Sequence, residues 1–263
     1  MTGLETRLRA LRETGRTALV PYFMAGLSED WVRHVEAAVH AGADAVEIGL
    51  PFSDPMIDGV VIQRAGLRAL ARGTTIETVL RDLEGLSVAV PLVVMTYYNL
   101  LLHYGLDRAA GRLAGAGVSG AIVPDLSLEE ADEWRAAAGG HDVATVFLVA
   151  PSTPVARVAR VAAASQGFVY AAARMAVTGA ATEEGEARQV AAAVRAASDR
   201  PCYVGIGIST PEQAVAAAAV SDGVIVGSAL VALLLEGGQG PDVEEFLGRF
   251  RRSLDEGPAK NSR

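Results

Sequence analysis

The sequence predicts an α/β protein folded as one (β/α)8 barrel of the TIM type, with an extra helix at its N-terminus. Three observations predict it. Eight short apolar runs, often β-branched, recur along the 263 residues. Longer Ala- and Leu-rich stretches with helical spacing separate them. No Pro/Ser-rich linker, low-complexity tract or shift of composition divides the chain, so residues 1–263 read as a single domain. Hydrophobic residues make up 51% of the sequence, enough for a large core. A doubly wound open sheet is the competing architecture, since it uses the same alternating units.

The elements follow in order. "MTGLETRLRALRETG" spaces Leu4, Leu8 and Leu11 at helical intervals among charges, which makes residues 1–15 an amphipathic helix expected across the barrel bottom. The strand runs are "TALVPYFM" (17–24), "DAVEIG" (44–49), "VPLVVMTY" (90–97), "GAIV" (120–123), "VATVFLV" (143–149), "GFVYAA" (167–172), "PCYVGIG" (201–207) and "DGVIVGS" (222–228). Between them, Ser28 is expected to cap the helix in "SEDWVRHVEAAVHAG". Ser127 is expected to cap "SLEEADEWRAAAGG", which Gly139 would end. Residues 256–263 form a polar C-terminal tail.

The net charge of −8 and a pI near 5.1, with basic residues scattered, argue against a nucleic-acid partner. A lone cysteine, Cys202, excludes an internal disulfide and fits a reducing compartment. The N-terminus lacks the apolar stretch of a signal peptide, and no segment approaches about 18 uninterrupted apolar residues. A cytoplasmic protein is expected.

Function in such barrels lies at the C-terminal ends of the strands and in the loops after them. "VEIGLPFSDPMIDG" (46–59) places one carboxylate there, Glu47, and a second, Asp58, in the loop that continues from the strand. Strand alternation sends Val46 and Ile48 towards the helices and Glu47 inward. A desolvated Glu47 should have a raised pKa, suited to acid/base work near neutral pH. The structural alternative is a Glu paired with an inward Arg as core filler.

Three glycine-bearing turns, "AVTGA" (176–180), "GIGIS" (205–209) and "VGSA" (226–229), follow the last three strands. Barrels of this type bind phosphate through such loops and a short helix N-terminus, here the helix beginning at Ser228. Gly207 and Gly227 would let the backbone approach an anion closely. "GIGIST" lacks the third glycine of a dinucleotide fingerprint, so NAD is discounted. The only lysine, Lys260, lies in the tail, which argues against Schiff-base, Walker-type and pyridoxal-phosphate lysine chemistry. His34, His40, His103 and His141 have no metal-ligand spacing, so no metal site is expected. "GVSGA" (117–121) is not a nucleophile elbow, because Ser119 runs into a strand. Acid/base catalysis by carboxylates on a phosphorylated substrate remains. Without an enamine or a metal, carbon–carbon cleavage needs a substrate with its own electron sink, as an indole ring is.

The chain resembles the tryptophan synthase α subunit family over nearly its whole length. "VEIGLPFSDPMIDG", "MTYYNLLLHYG" (95–105), "IVPDLSLEE" (122–130), "VAPSTP" (149–154), "GFVY" with "VTG", "GIGISTPEQA" and "DGVIVGSA" carry the resemblance. It implies a barrel that cleaves indole-3-glycerol phosphate to indole and glyceraldehyde 3-phosphate by a retro-aldol reaction. The α subunit would have no cofactor of its own. Indole would pass to a pyridoxal-phosphate β subunit in an αββα heterotetramer. By motif, Glu47 resembles the family's general acid/base, Asp58 the carboxylate that binds the indole N–H and stays ionised, and Tyr170 an active-site tyrosine. Gly179, Gly207, Gly227 and Ser228 match its phosphate binders, and Tyr22 and Met95 fall where its indole pocket is expected. Asp54, Asp125 and Thr178 correspond to residues of loop closure and communication.

The sequence departs from the family pattern at Val60 and Leu100, where proline is common, and at Ile206, where phenylalanine is frequent. Ala173, Ala176 and Ala181 stand where Ser, Gly and Arg are often seen. These changes leave both acids in place and bear on the ordering of the sixth loop. A stand-alone lyase releasing free indole, and a weakly catalytic partner that regulates a β subunit, are the alternatives.

Overall fold

The computed structural model describes residues 1–174 and 183–257. Among the described residues nine parallel strands follow in chain order: β1 (Ala18–Met24), β2 (Val46–Gly49), β3 (Leu92–Met95), β4 (Val118–Ile122), β5 (Ala144–Val146), β6 (Leu148–Val149), β7 (Val169–Arg174), β8 (Cys202–Ile206) and β9 (Gly223–Val226). The helices are α1 (Gly3–Glu13), α2 (Trp31–His40), α3 (Val60–Ala71), α4 (Ile76–Glu84), α5 (Tyr98–Tyr104) and α6 (Leu106–Gly115). After them come α7 (Asp132–Gly140), α8 (Val155–Ala164), α9 (Glu183–Ala197), α10 (Pro211–Ala218), α11 (Ser228–Leu235) and α12 (Gly240–Glu256).

The ladder runs β5-β4-β3-β2-β1-β9-β8-β7-β6. Its two ends, β5 and β6, are consecutive pieces of the fifth predicted run, so the sheet closes on itself as a barrel. That run divides at Phe147 for a local reason. The Phe147 N–H donates to Ser165 Oγ (3.3 Å) instead of to a strand, while its carbonyl still accepts from Tyr170 N (3.0 Å).

Alternation along the strands builds two apolar layers. Val46 and Ile48 pack outward under the helices, whereas Val20, Val93, Ile122 and Ile225 point into the barrel. Helix α1 closes the barrel bottom. Thr2 Oγ1 accepts from Glu5 N (3.3 Å) to start it, and Leu4 and Leu8 join the interior cluster. Leu4 comes so close that a Cβ on Gly120 or Gly167 would lie 2.7 or 2.6 Å from its Cδ2. Arg200 and Arg9 both pair with the buried Glu5, holding the helix in place.

Three expected helix ends move. Helix α2 starts after Asp30, and the buried Ser28 Oγ has no hydrogen-bond partner among the described residues. Ser127 precedes a single 3-10 turn, Leu128–Glu130, and α7 begins only after Ala131 and runs through Gly139 to Gly140. Of the tail, Glu256 ends helix α12, and residues 258–263 lie outside the described residues.

Candidate active site

Glu47 sits near the C-terminal end of β2, with Tyr22 of β1 and Val93 of β3 as its register partners. It is 1% exposed, and among the described residues its Oε2 has no hydrogen-bond partner. Burial, helped by the nearby Asp58, pushes its pKa up to about 8. A carboxyl in that state is protonated at neutral pH and can both give and take a proton.

Asp58 comes from the loop between β2 and α3, half-buried and just ahead of Gly59, the N-cap of α3. The Gln63 side chain donates to its carbonyl (2.8 Å), folding the loop end onto that helix. Burial raises the Asp58 pKa, and a hydrogen bond from the Tyr97 hydroxyl opposes the rise. The shift therefore has the same direction as at Glu47. What separates the two acids is depth and the hydroxyl held against Asp58.

Two further hydroxyls face this pair. Tyr170, on β7, donates to Gly205 O (3.1 Å). The Tyr22 hydroxyl lies over Gly49, where any Cβ would be 1.8 Å from it. Burial first, and then both carboxylates, raise the two phenol pKa values well above their ordinary range, so both remain proton donors. Met95 ends β3 half-buried, as register partner of Gly49 and Ile122.

The anion corner adjoins the same wall. Gly227 caps α11 with φ −107° and ψ −88°, and Ser228 is the first helical residue, exposed at the barrel mouth. Helix geometry leaves the first N–H groups of α11 without intrahelical acceptors. A Cβ on Gly227 would stand 3.7 Å from Tyr22 Cβ, so the tyrosine lies between the acids and this helix start. Gly207 follows β8 at φ +80°, in the left-handed region that favours glycine. Gly179 and Thr178, and with them Ala176 and Ala181, lie outside the described residues.

Asp54 is exposed and accepts from Ser53 Oγ. Asp125 accepts from Tyr98 N through both carboxylate oxygens (2.9 and 3.2 Å). Sequence reasoning missed Tyr97, which is buried beneath the Asp58 loop, accepts from Ile57 N (3.3 Å) and holds the pKa of the second acid down. The doubled tyrosine of "MTYYN" was the available signal.

The histidines are spread over the molecule. His34 is buried in α2, and burial lowers its pKa. His40 pairs with Glu244 (3.6 Å) and His141 with Asp107 (3.1 Å). Cys202 is buried, and desolvation followed by Asp222 pushes its thiol up to about 12, the mark of an unreactive core cysteine. Among the described residues, no helix is long and apolar enough to cross a membrane.

Known proteins match this chain along nearly its whole length. The family model described as Tryptophan synthase alpha chain matches residues 8–250. The tryptophan synthase alpha chain of Streptomyces avermitilis is 44% identical over 89% of this chain and 86% of its own. That of Solibacter usitatus is 42% identical over 98% of both. Among solved structures, tryptophan synthase from Mycobacterium tuberculosis superposes with a TM-score of 0.88 at 39% identity, covering 99% of each chain. The α subunit from Legionella pneumophila gives 0.88 at 31%, covering 97% of this chain and 99% of its own. With a family model spanning nearly the whole barrel and relatives this similar end to end, the chain belongs to the tryptophan synthase alpha chain family.

Proposed function

We propose that this chain performs the α reaction of its family with Glu47 and Asp58 as its two working acids. Indole-3-glycerol phosphate is cleaved to indole and glyceraldehyde 3-phosphate. The observation that carries the assignment is the buried Glu47 at the barrel mouth, whose carboxylate Oε2 has no hydrogen-bond partner among the described residues.

Protonated Glu47 gives its proton to indole C3, and positive charge develops on the ring nitrogen. Asp58 accepts from the indole N–H and stabilises that charge. The Glu47 carboxylate so formed takes the proton of the glyceryl hydroxyl next to the ring. The carbon–carbon bond then breaks, its electron pair returns to the ring, and an aldehyde forms. One proton is given and one recovered, so Glu47 ends in its starting state. The tyrosine hydroxyls of Tyr22 and Tyr170 supply neutral donors around the reacting atoms, and Met95 an apolar wall for the ring. Gly207, Gly227, Ser228 and the N-terminus of α11 form the phosphate corner, with Gly179 expected to complete it. Asp54 and Thr178 act in closing the loops. This chemistry needs no cofactor on the α chain. Pyridoxal phosphate belongs to the β subunit, which takes the indole within an αββα assembly, and the pair works in the cytoplasm.

The test is to mix the purified chain with indole-3-glycerol phosphate and follow indole, with and without a tryptophan synthase β subunit. Slow release that rises sharply with β is expected. Fast release unaffected by β would instead make the chain an independent lyase, and no release in either case would refute the assignment.

A further inference from the structure

The loop that carries Asp58 has little of its own to hold it. Residues 51–58 contain no strand or helix, and Met56 and Ile57 are exposed. Loop backbone with so few buried contacts opens at low free energy unless something ties it down. Tyr97 lies where such a tie is needed. Its ring stacks on Phe52 at 4.9 Å between centroids, with 26° between planes. Its hydroxyl accepts from Ile57 N (3.3 Å), the residue just before the acid, and hydrogen bonding from that hydroxyl holds the Asp58 pKa down. One side chain therefore touches the loop near its start and at its catalytic end.

Tyr97 is in turn held from a third loop. It is the N-cap of α5 but makes no side-chain cap bond, its ring being too long to reach back to the first-turn N–H groups. Asp125, in the loop after β4, caps that helix instead by accepting from Tyr98 N (2.9 and 3.2 Å). Three consecutive strand-to-helix connections are thus joined in series, with Tyr97 in the middle.

We infer that Tyr97 is a positioning residue that sets the Asp58 carboxylate and its loop in working geometry, and that Asp125 acts on catalysis through Tyr97. The inference rests on the α-reaction assignment for its kinetic consequences, but its structural consequence, loop order, does not depend on that assignment. A hydrogen bond to the charged form of an acid favours ionisation, so the hydroxyl also keeps Asp58 available as an anion at lower pH.

The test is Tyr97→Phe, which keeps the ring and its stacking and removes only the hydroxyl. With β subunit present, kcat should fall about 10- to 100-fold, the range expected for losing one hydrogen bond to a charged group. KM should change much less, and the acid limb of kcat/KM should move to higher pH. Asp125→Ala should give a smaller loss of the same kind, Asp125→Asn should restore it because Asn can still accept from Tyr98 N, and Tyr97→Phe with Asp125→Ala should be no worse than Tyr97→Phe alone. Amide exchange at Ile57 in the ligand-free protein should quicken in Tyr97→Phe. Wild-type kcat, acid limb and Ile57 exchange in Tyr97→Phe would overturn the inference. An inactive wild type whose Ile57 exchange still responds would sink the assigned reaction while leaving the positioning role standing.

Discussion

Tyr22 and Glu47 are register partners on β1 and β2, both pointing into the barrel mouth, and the tyrosine hydroxyl occupies the space that a side chain at Gly49 would need. The glycine is thus part of the acid site without taking part in its chemistry. Gly205 does the same for Tyr170, since a Cβ there would lie 2.1 Å from that hydroxyl.

Gly49→Ala should therefore displace Tyr22, destabilise the protein by about 1–3 kcal/mol, and lower kcat/KM. Gly139→Ala is the control. It sits in helix α7 with nothing within 4 Å of the added Cβ, and should gain about 0.5–1 kcal/mol in urea unfolding with unchanged activity. Equal effects at the two sites would contradict this reading.

Stability should record the burial of Glu47. In the unfolded chain its carboxyl ionises near 4.5, whereas in the fold it keeps its proton up to about 8. Between those values the unfolded state has lost a proton that the folded state retains, so stability falls as pH rises. Below that window the penalty is absent, and above it the penalty is complete. Glu47→Gln removes the slope, making the variant more stable than wild type by roughly a few kcal/mol at pH 8 and about equal to it at pH 4. Urea unfolding across this range checks the sign, and parallel curves would contradict it.

The same proton should shape the rate. If Glu47 must be protonated to begin the reaction, kcat/KM falls on a basic limb near pH 8. The buried phenols of Tyr22 and Tyr170 titrate well above their ordinary value and should leave no limb below it. A rate–pH profile flat from pH 7 to about 9 would argue against Glu47 as the acid.

At the other end of the barrel, Leu4→Ala removes the side chain that fills the gap against Gly120 and Gly167. A loss of about 2–4 kcal/mol is expected, with little change in kcat at temperatures where the variant is folded. A neutral effect would mean that helix α1 is not part of the interior packing.

Periodicity was enough to find the barrel, because inward and outward layers impose a strict alternation that runs such as "DAVEIG" display. It also placed Glu47, since only one face of β2 is open to a carboxylate at the mouth. Other features depend on side chains far apart in sequence. The break at Phe147 comes from Ser165, and the start of α2 falls after Asp30 even though Ser28 has the chemistry of a cap. Tyr97 was hidden for the same reason. Its role depends on how the loops after β2 and β3 lie against each other, which no local pattern encodes. Gly179 and Thr178 remain sequence expectations.

The most direct measurement is single-turnover cleavage of indole-3-glycerol phosphate by wild type and Glu47→Gln, each mixed with β subunit and each shown to be folded by circular dichroism. Indole release by the variant should be lower by about a thousandfold or more, with phosphate-ester binding retained. Turnover within tenfold of wild type would contradict the central role assigned to Glu47.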